Sequence, residues 1–253
     1  MAAQDQSRFA IHEACREGKT AAVESLLNAN PNLATRRDDD DRLPIHWAVS
    51  YNRIPIVSQL IQTKNFDDGS GWTPLMMAAS LKDADELVDL LLSRDADVNM
   101  KNNNGQTALH FTASKNNLDT ARKLVAKKAS ARVKDKRGQL ALHRAAAVGS
   151  VPMIKLLLQA NSPLNATDMD GMTALHHTIA EGHGDAALVL LKAGADTEKK
   201  SIDGSLAIEL APDTKVKIDL LAQIRASVLT MQIMNYIIQN AELEGIELTA
   251  PRP

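Results

Sequence analysis

Apolar residues along the chain fall into short runs that recur at one interval. GQTALHFTA from Gly105 returns as GQLALHRAA from Gly138 and GMTALHHTI from Gly171, a pattern Gly-x-Thr-x-Leu-His-x-x-Ala. Anchored on the His position, the register passes through His12, His46, Met76, His110, His143, His176 and Glu209, at spacings of 34, 30, 34, 33, 33 and 33 residues. Seven units thus cover about residues 5–211. In each, a core-facing leucine (Leu75, Leu109, Leu142, Leu175) with paired alanines such as Ala78 and Ala79 or Ala145 and Ala146 predicts a short first helix that lets its neighbour approach closely. Apolar runs over residues 87–92, 153–158 and 186–191 predict a second, longer helix, closed by loops such as DADVN, NSPLN and GADTE.

The links between units carry turn chemistry. The glycine of each Asp-x-x-Gly turn reverses the chain at a β-hairpin tip, where φ is positive. Thr73, Thr107 and Thr173 then stand where a hydroxyl satisfies free N–H groups of the first turn, and Pro74 fits a first helical position. Phe9, Leu43, Leu140 and Leu206 replace that threonine, which predicts caps weaker by about 1 kcal/mol each. The QTKNFDDGS junction is about three residues short, so the outer loop there is expected to be trimmed without breaking the stack. A period near 33 with T-P-L-H-x-A marks ankyrin repeats, and GWTPLMMAA from Gly71 supplies the Thr-Pro pair; the chain resembles that family. The expected fold is an all-α repeat solenoid of seven ankyrin repeats over residues 1–211, with tips and first helices lining its concave side. Residues 212–253 follow as a separate segment: Val216, Leu220, Leu221, Ile224, Val228, Met231, Met234 and Ile238 recur at mainly helical spacing, predicting a long amphipathic helix over residues 214–240. Its simplest role is a cap on the last repeat; a partner-binding helix and a loosely attached tail are the alternatives.

Composition narrows the function. With 44% hydrophobic residues the chain supports a substantial core, and 3% aromatics require a core of small and aliphatic side chains. Cys15, the single cysteine, lies on an apolar helical pattern, as a buried structural thiol in a reducing compartment does. The start MAAQDQSRFA has neither a signal core nor an Arg-rich transit pattern, and no apolar stretch suits a membrane span. Twenty-nine basic against 31 acidic residues, a net charge of -2, exclude a global field that would draw in nucleic acid or anionic lipid.

Seven histidines invite a metal or general-base reading. His12, His46, His110, His143 and His176, however, occupy one repeat-equivalent position, so they stack rather than converge, and each is expected to bond a threonine hydroxyl or loop backbone. His183, in EGHGDAA, sits where the two helices of a repeat turn into each other. Phosphate-binding loops and nucleophile elbows are missing from the sequence, so no enzyme, no metal and no cofactor is expected.

A partner is expected on the strip formed by residues around each turn glycine, the residue after the His position, and the end of the first helix. Counting places Asp39, Asp40, Arg42, Trp47 and Tyr51 there in repeat two, Trp72 and Met77 in repeat three, and Phe111 and Lys115 in repeat four. Repeat five adds Arg137 and Arg144, repeat six His177 and Glu181. Both tryptophans fall on this strip, and aromatic and arginine side chains are the usual anchors of interfaces. The acidic run of residues 38–41 is assigned to the strip by its position. The basic cluster Arg122, Lys123, Lys127, Lys128, Arg132 and Lys134 falls on a second helix and its loop, as plain surface.

DRLPIHWAVS from Asp41, DDGSGWTPL from Asp67, TASKNN from Thr112, KDKRGQLALHRAAAVGS from Lys134 and AEGHGDAA from Ala180 resemble the gankyrin family, the ankyrin-repeat assembly chaperones of the proteasome regulatory particle. The resemblance implies a non-catalytic protein of cytoplasm and nucleus, monomeric when free. It implies a concave face that grips the C-terminal domain of one ATPase subunit of the regulatory-particle base, with Asp40, Arg42, Trp47, Trp72 and Lys115 at the family's contact positions and Arg144 as an addition. Animal members carry a Leu-x-Cys-x-Glu motif in repeat six; here LHHTIAEG has no cysteine, so that activity is not carried over. An ankyrin scaffold or inhibitor of a kinase or transcription factor is the competing expectation, since fold alone does not select the partner.

Overall fold

The computed structural model describes residues 9–212 together with Ala222. The helix expected over residues 214–240, Ala222 apart, lies outside them. Among the described residues, twelve α-helices form six antiparallel pairs: α1 (Ala10–Glu17) with α2 (Thr20–Ala29), α3 (Pro44–Ser50) with α4 (Ile54–Leu60), α5 (Pro74–Ser80) with α6 (Asp85–Ser93), α7 (Ala108–Lys115) with α8 (Leu118–Ala126), α9 (Ala141–Val148) with α10 (Val151–Gln159), and α11 (Ala174–Ala180) with α12 (Gly184–Lys192). First helices stack on first helices (α1, α3, α5, α7, α9, α11) and second on second, and a 3₁₀ turn, Ala207–Leu210, packs on α11 where another first helix would begin. None of the described helices is long and apolar enough to cross a membrane.

Second helices of 7–10 residues are scarcely longer than first helices of 7–8, contrary to expectation. The loops after them take up the remainder of each period. Leu75, Leu109, Leu142 and Leu175 and the alanine pairs are buried, giving one continuous core between the layers. Large aromatic rings are absent from it, because backbones this close leave room only for methyl-sized and aliphatic groups.

The histidine ring organises the start of most first helices. The N-cap N–H of Leu43, Thr107, Leu140 and Thr173 donates to Nδ1 of the histidine three residues on, at 2.9, 3.1, 3.0 and 3.2 Å. Leu206 N–H finds Glu209 Oε2 instead, at 2.8 Å, so Glu209 takes over the imidazole's task. In repeat three the residue is Met76, and there Thr73 Oγ1 caps by accepting from Met76 N–H, at 3.3 Å. Thr107 departs from expectation, its hydroxyl donating to His110 Nδ1 at 3.0 Å. Leu43 and Leu140 also depart from it: a ring secures their N–H groups and their side chains are buried, which offsets the missing hydroxyl.

The tips are turns, not strands; among the described residues the only bridge joins Lys200 and Leu206. A strand needs several paired residues, whereas a tip closes within five residues, as by Asp68 N–H to Trp72 O at 3.0 Å with Gly71 N–H to Asp68 O at 2.9 Å, or Asp135 N–H to Gln139 O with Gly138 N–H to Asp135 O, both at 2.9 Å. Backbone bonds then tie tip to tip: Asn103 N–H to Ser70 O, Lys136 N–H to Asn104 O, Met169 N–H to Arg137 O and Ile202 N–H to Asp170 O, at 2.8–3.0 Å. This close approach explains Gly71, whose φ is +79° and whose Cβ, if present, would stand 2.7 Å from Asn103 N. Gly71→Ala combines a left-handed penalty with a backbone collision and is expected to destabilise the protein by about 3 kcal/mol in chemical denaturation. The shortened junction leaves the next tip intact, the chain passing from α4 through the 3₁₀ turn Ile61–Thr63 into Asp68–Trp72.

Candidate partner-binding face

One acidic or amide side chain holds each of five tips, and the Ser201 hydroxyl takes that place in the last. Oδ1 of Asp38, Asp68, Asn102, Asp135 and Asp168 accepts from the backbone N–H groups two and four residues on, at 2.8–3.0 Å. The second oxygen faces the first helix that follows. Asp38 Oδ2 accepts from Trp47 Nε1 at 2.6 Å, Asp135 Oδ2 from Arg144 Nη2 at 2.8 Å, and Asp168 Oδ2 from His177 Nε2 at 2.8 Å and Gln139 Nε2 at 3.2 Å. Burial alone would raise these three carboxyl groups. The surrounding donors outweigh it and hold all three below the usual carboxylate range.

These clamps place part of the predicted site. Arg144 and His177 turn their polar ends inward to a tip carboxylate, so they support the strip rather than stand on it as free charges. Asp38 is likewise engaged, and Asp41, with φ of 63° in the place other tips give to glycine, pairs loosely with Arg37 at 4.0 Å. Asp39 and Asp40 are exposed.

The aromatic members form two couples. Trp47 stacks with Tyr51, with centroids 6.3 Å apart and planes at 15°, and the Arg42 guanidinium lies 5.4 Å from the Trp47 ring centroid. Trp72 packs against Phe111 at 4.2 Å, and Met77 accepts a 3.7 Å contact from Ser50 Oγ. Tyr51 remains 47% exposed, a large aromatic surface left to solvent. Lys115, Arg137 and Glu181 are exposed, and none has an ion-pair partner among the described residues. The structure therefore brings Asp40, Arg42, Trp47, Tyr51, Trp72, Met77, Phe111 and Lys115 onto the tips and first helices of three successive repeats. It also adds Ile202, a 73% exposed tip residue that periodicity did not single out. The basic cluster behaves as surface: Lys123 pairs with Asp85 and Asp89, Arg122 with Asp119, and Lys134 donates to Thr167 O.

The buried histidines keep to structural bonds. Nε2 of His46, His110 and His143 donates to Phe66 O, Gln139 O and Ala166 O at 3.0–3.1 Å, so each links two repeats. His183, at the turn before α12, donates to Ala147 O at 3.2 Å. Burial pushes the Cys15 thiol up to about 12, which leaves it protonated and inert.

The model of ankyrin repeats in three copies matches overlapping segments that together span residues 11–201. The chain is an ankyrin-repeat protein. It is 38% identical over 127 residues to the probable 26S proteasome regulatory subunit p28 of Saccharomyces cerevisiae, a match covering 47% of this chain and 55% of the relative. An ankyrin repeat-containing protein of Schizosaccharomyces pombe is 38% identical over 121 residues, covering 46% and 50%. The chain thus spans about half the length of these curated relatives. Among solved structures, the ankyrin repeat domain of Bcl-3 superposes with a TM-score of 0.71 at 25% identity, covering 84% of this chain and 97% of that one. The human ASB11 domain, at 0.72 and 20%, shares the fold. Ankyrin repeats commonly present a surface that binds other proteins.

Proposed function

We propose that this protein is a non-catalytic assembly chaperone of the proteasome regulatory-particle base, gripping the C-terminal domain of one ATPase subunit with its tips and first helices. The observation that carries the reading is the strip itself, in which two aromatic couples are flanked by Arg42 and Lys115, cations without a carboxylate partner among the described residues. An aromatic centre between unpaired charges is how a surface binds a charged partner with specificity. The likeness to p28 supplies the partner's class. In this reading the repeat domain has seven units over residues 1–211, the last reduced to its tip and the 3₁₀ turn. The free protein is a monomer of cytoplasm and nucleus that holds the ATPase subunit during base assembly.

The test is calorimetric titration of the isolated C-terminal domain of each proteasomal ATPase into the protein and its Arg42→Glu, Lys115→Glu double variant. One domain is expected to bind, more weakly as salt rises. The variant should lose on the order of 100-fold in affinity with its fold intact, mainly through slower association. Failure of every ATPase domain to bind removes the assembly role and leaves an ankyrin scaffold for another protein.

A further inference from the structure

The clamp between tip and first helix is incomplete in one repeat. Nine residues after the tip Asp stands a donor in repeats two, five and six: Trp47, Arg144 and His177. Repeat four has Phe111 there, and its tip residue is Asn102, whose Nδ2 donates to Gln106 Oε1 at 3.1 Å, so no charge is left over. Repeat three alone combines a tip carboxylate, Asp68, with a residue that cannot donate, Met77. Asp68 Oδ1 accepts from Ser70 and Trp72 N–H at 2.9 Å each; Oδ2 receives no hydrogen bond or ion pair from any described residue. Yet Asp68 is only 9% exposed.

Asp68 Oδ2 is not among the atoms sealed from solvent without a partner, so it stands as an open, unpaired acceptor. It lines a cavity of about 310 Å³ whose walls include Arg42, Ser50, Trp72, Met77 and Ser80, open on the binding strip. We infer that this cavity is a docking slot for an arginine side chain of the partner, with Asp68 Oδ2 as its acceptor. The chain provides the precedent, since Arg144 fills the corresponding position against Asp135 at 2.8 Å. An inserted guanidinium would lie beside the Trp72 ring and the Met77 thioether, surfaces that suit its weakly hydrated plane. Arg42 on the rim calls for a partner carboxylate next to that arginine, so the complement is an arginine beside an acidic residue, not an isolated cation. This deepens the function proposed above and rests on it for the partner's identity, not for the slot.

The experiment has two arms. In the first, the dipeptide acetyl-Arg-Glu-amide is titrated into the protein, with the norleucine-for-arginine dipeptide as blank, while the backbone amides of Ser70 and Trp72 are followed by NMR. Asp68→Asn keeps the Oδ1 acceptor, as Asn102 does in the next repeat, and removes the charge. Saturable shifts are expected in the unsubstituted protein, at least about tenfold weaker binding in Asp68→Asn, and none in Met77→Arg, where an internal guanidinium takes Oδ2. Shifts absent from the unsubstituted protein, or undiminished in Asp68→Asn, overturn the slot. In the second arm Asp68→Asn is expected to lower affinity for the ATPase domain about tenfold. If no ATPase domain binds while the dipeptide does, the assembly role falls and the slot stands; if the domain binds and Asp68→Asn changes nothing, the slot falls and the role stands.

Discussion

Asp135→Ala is expected to destabilise the protein by about 4 kcal/mol, more than any change on the exposed strip. The Asp135 side chain is 2% exposed and holds three groups at once: the N–H groups of Arg137 and Gln139, and the Arg144 guanidinium. Its removal leaves a three-quarters-buried arginine without a counter-ion, in a place where Arg144 Nε already has no acceptor. Breaking a buried pair from one side is costlier than deleting both members. Asp135→Ala with Arg144→Met should therefore recover part of the loss, and Asp135→Asn, which retains the tip acceptor, should fall between. Chemical denaturation of the three variants measures this. Because each repeat touches only its neighbours, the loss should appear first as local opening of α9–α12, read by hydrogen exchange at the amides of Leu157 and Leu190. A single variant as stable as the double would show that the ion pair contributes nothing.

These clamps also mark where reading the sequence stopped. Stacked units solve the same packing problem at the same interval, so Leu109, Leu142 and Leu175, the alanine pairs and the histidine position follow from periodicity. Trp47, Tyr51, Trp72, Met77, Phe111 and Lys115 came out of counting for the same reason, since a residue's place in the unit decides whether it faces the strip. A bond across a turn leaves no periodic trace. Asp38 was therefore read only as one more member of an acidic run, and the bonds of Arg144 and His177 to their tips went unread, although each of the two sits nine positions after a tip carboxylate in the sequence. That spacing was the available signal, and it would also have marked Asp68, whose ninth residue is Met77. The leucines at the helix starts misled in a related way. The hydroxyl they lack is replaced by an imidazole three residues on, and a propensity scale for single positions carries no knowledge of that ring.

The same imidazoles make the fold sensitive to mild acid. Burial is the largest influence on His12, His46, His110, His143 and His176 and lowers the pKa of each, that of His143 to about 4, where the neighbouring His177 ring adds to the effect. In the unfolded chain these groups protonate near pH 6.5. As pH falls below that value the unfolded state takes up protons that the folded state refuses, so stability is complete above about pH 7 and is lost downwards. The slope is about 1.4 kcal/mol per pH unit for each such histidine. For His143, between pH 6.5 and about 4, the loss reaches about 3 kcal/mol. The tip carboxylates add nothing in this window, because their depressed values make them destabilising only below about pH 4, where the unfolded carboxyls protonate. Urea denaturation at a series of pH values from about 8 to 4.5 should therefore show a plateau and then a fall beginning near pH 6.5, two units above carboxylate titration. His143→Gln, which cannot titrate, should start less stable because the Leu140 and Ala166 bonds are disturbed, and lose less stability with acid, its slope reduced by one proton. A profile that stays flat to pH 5, or an unchanged slope in the variant, would mean that the folded protein accepts these protons and that the rings are not held neutral by the core.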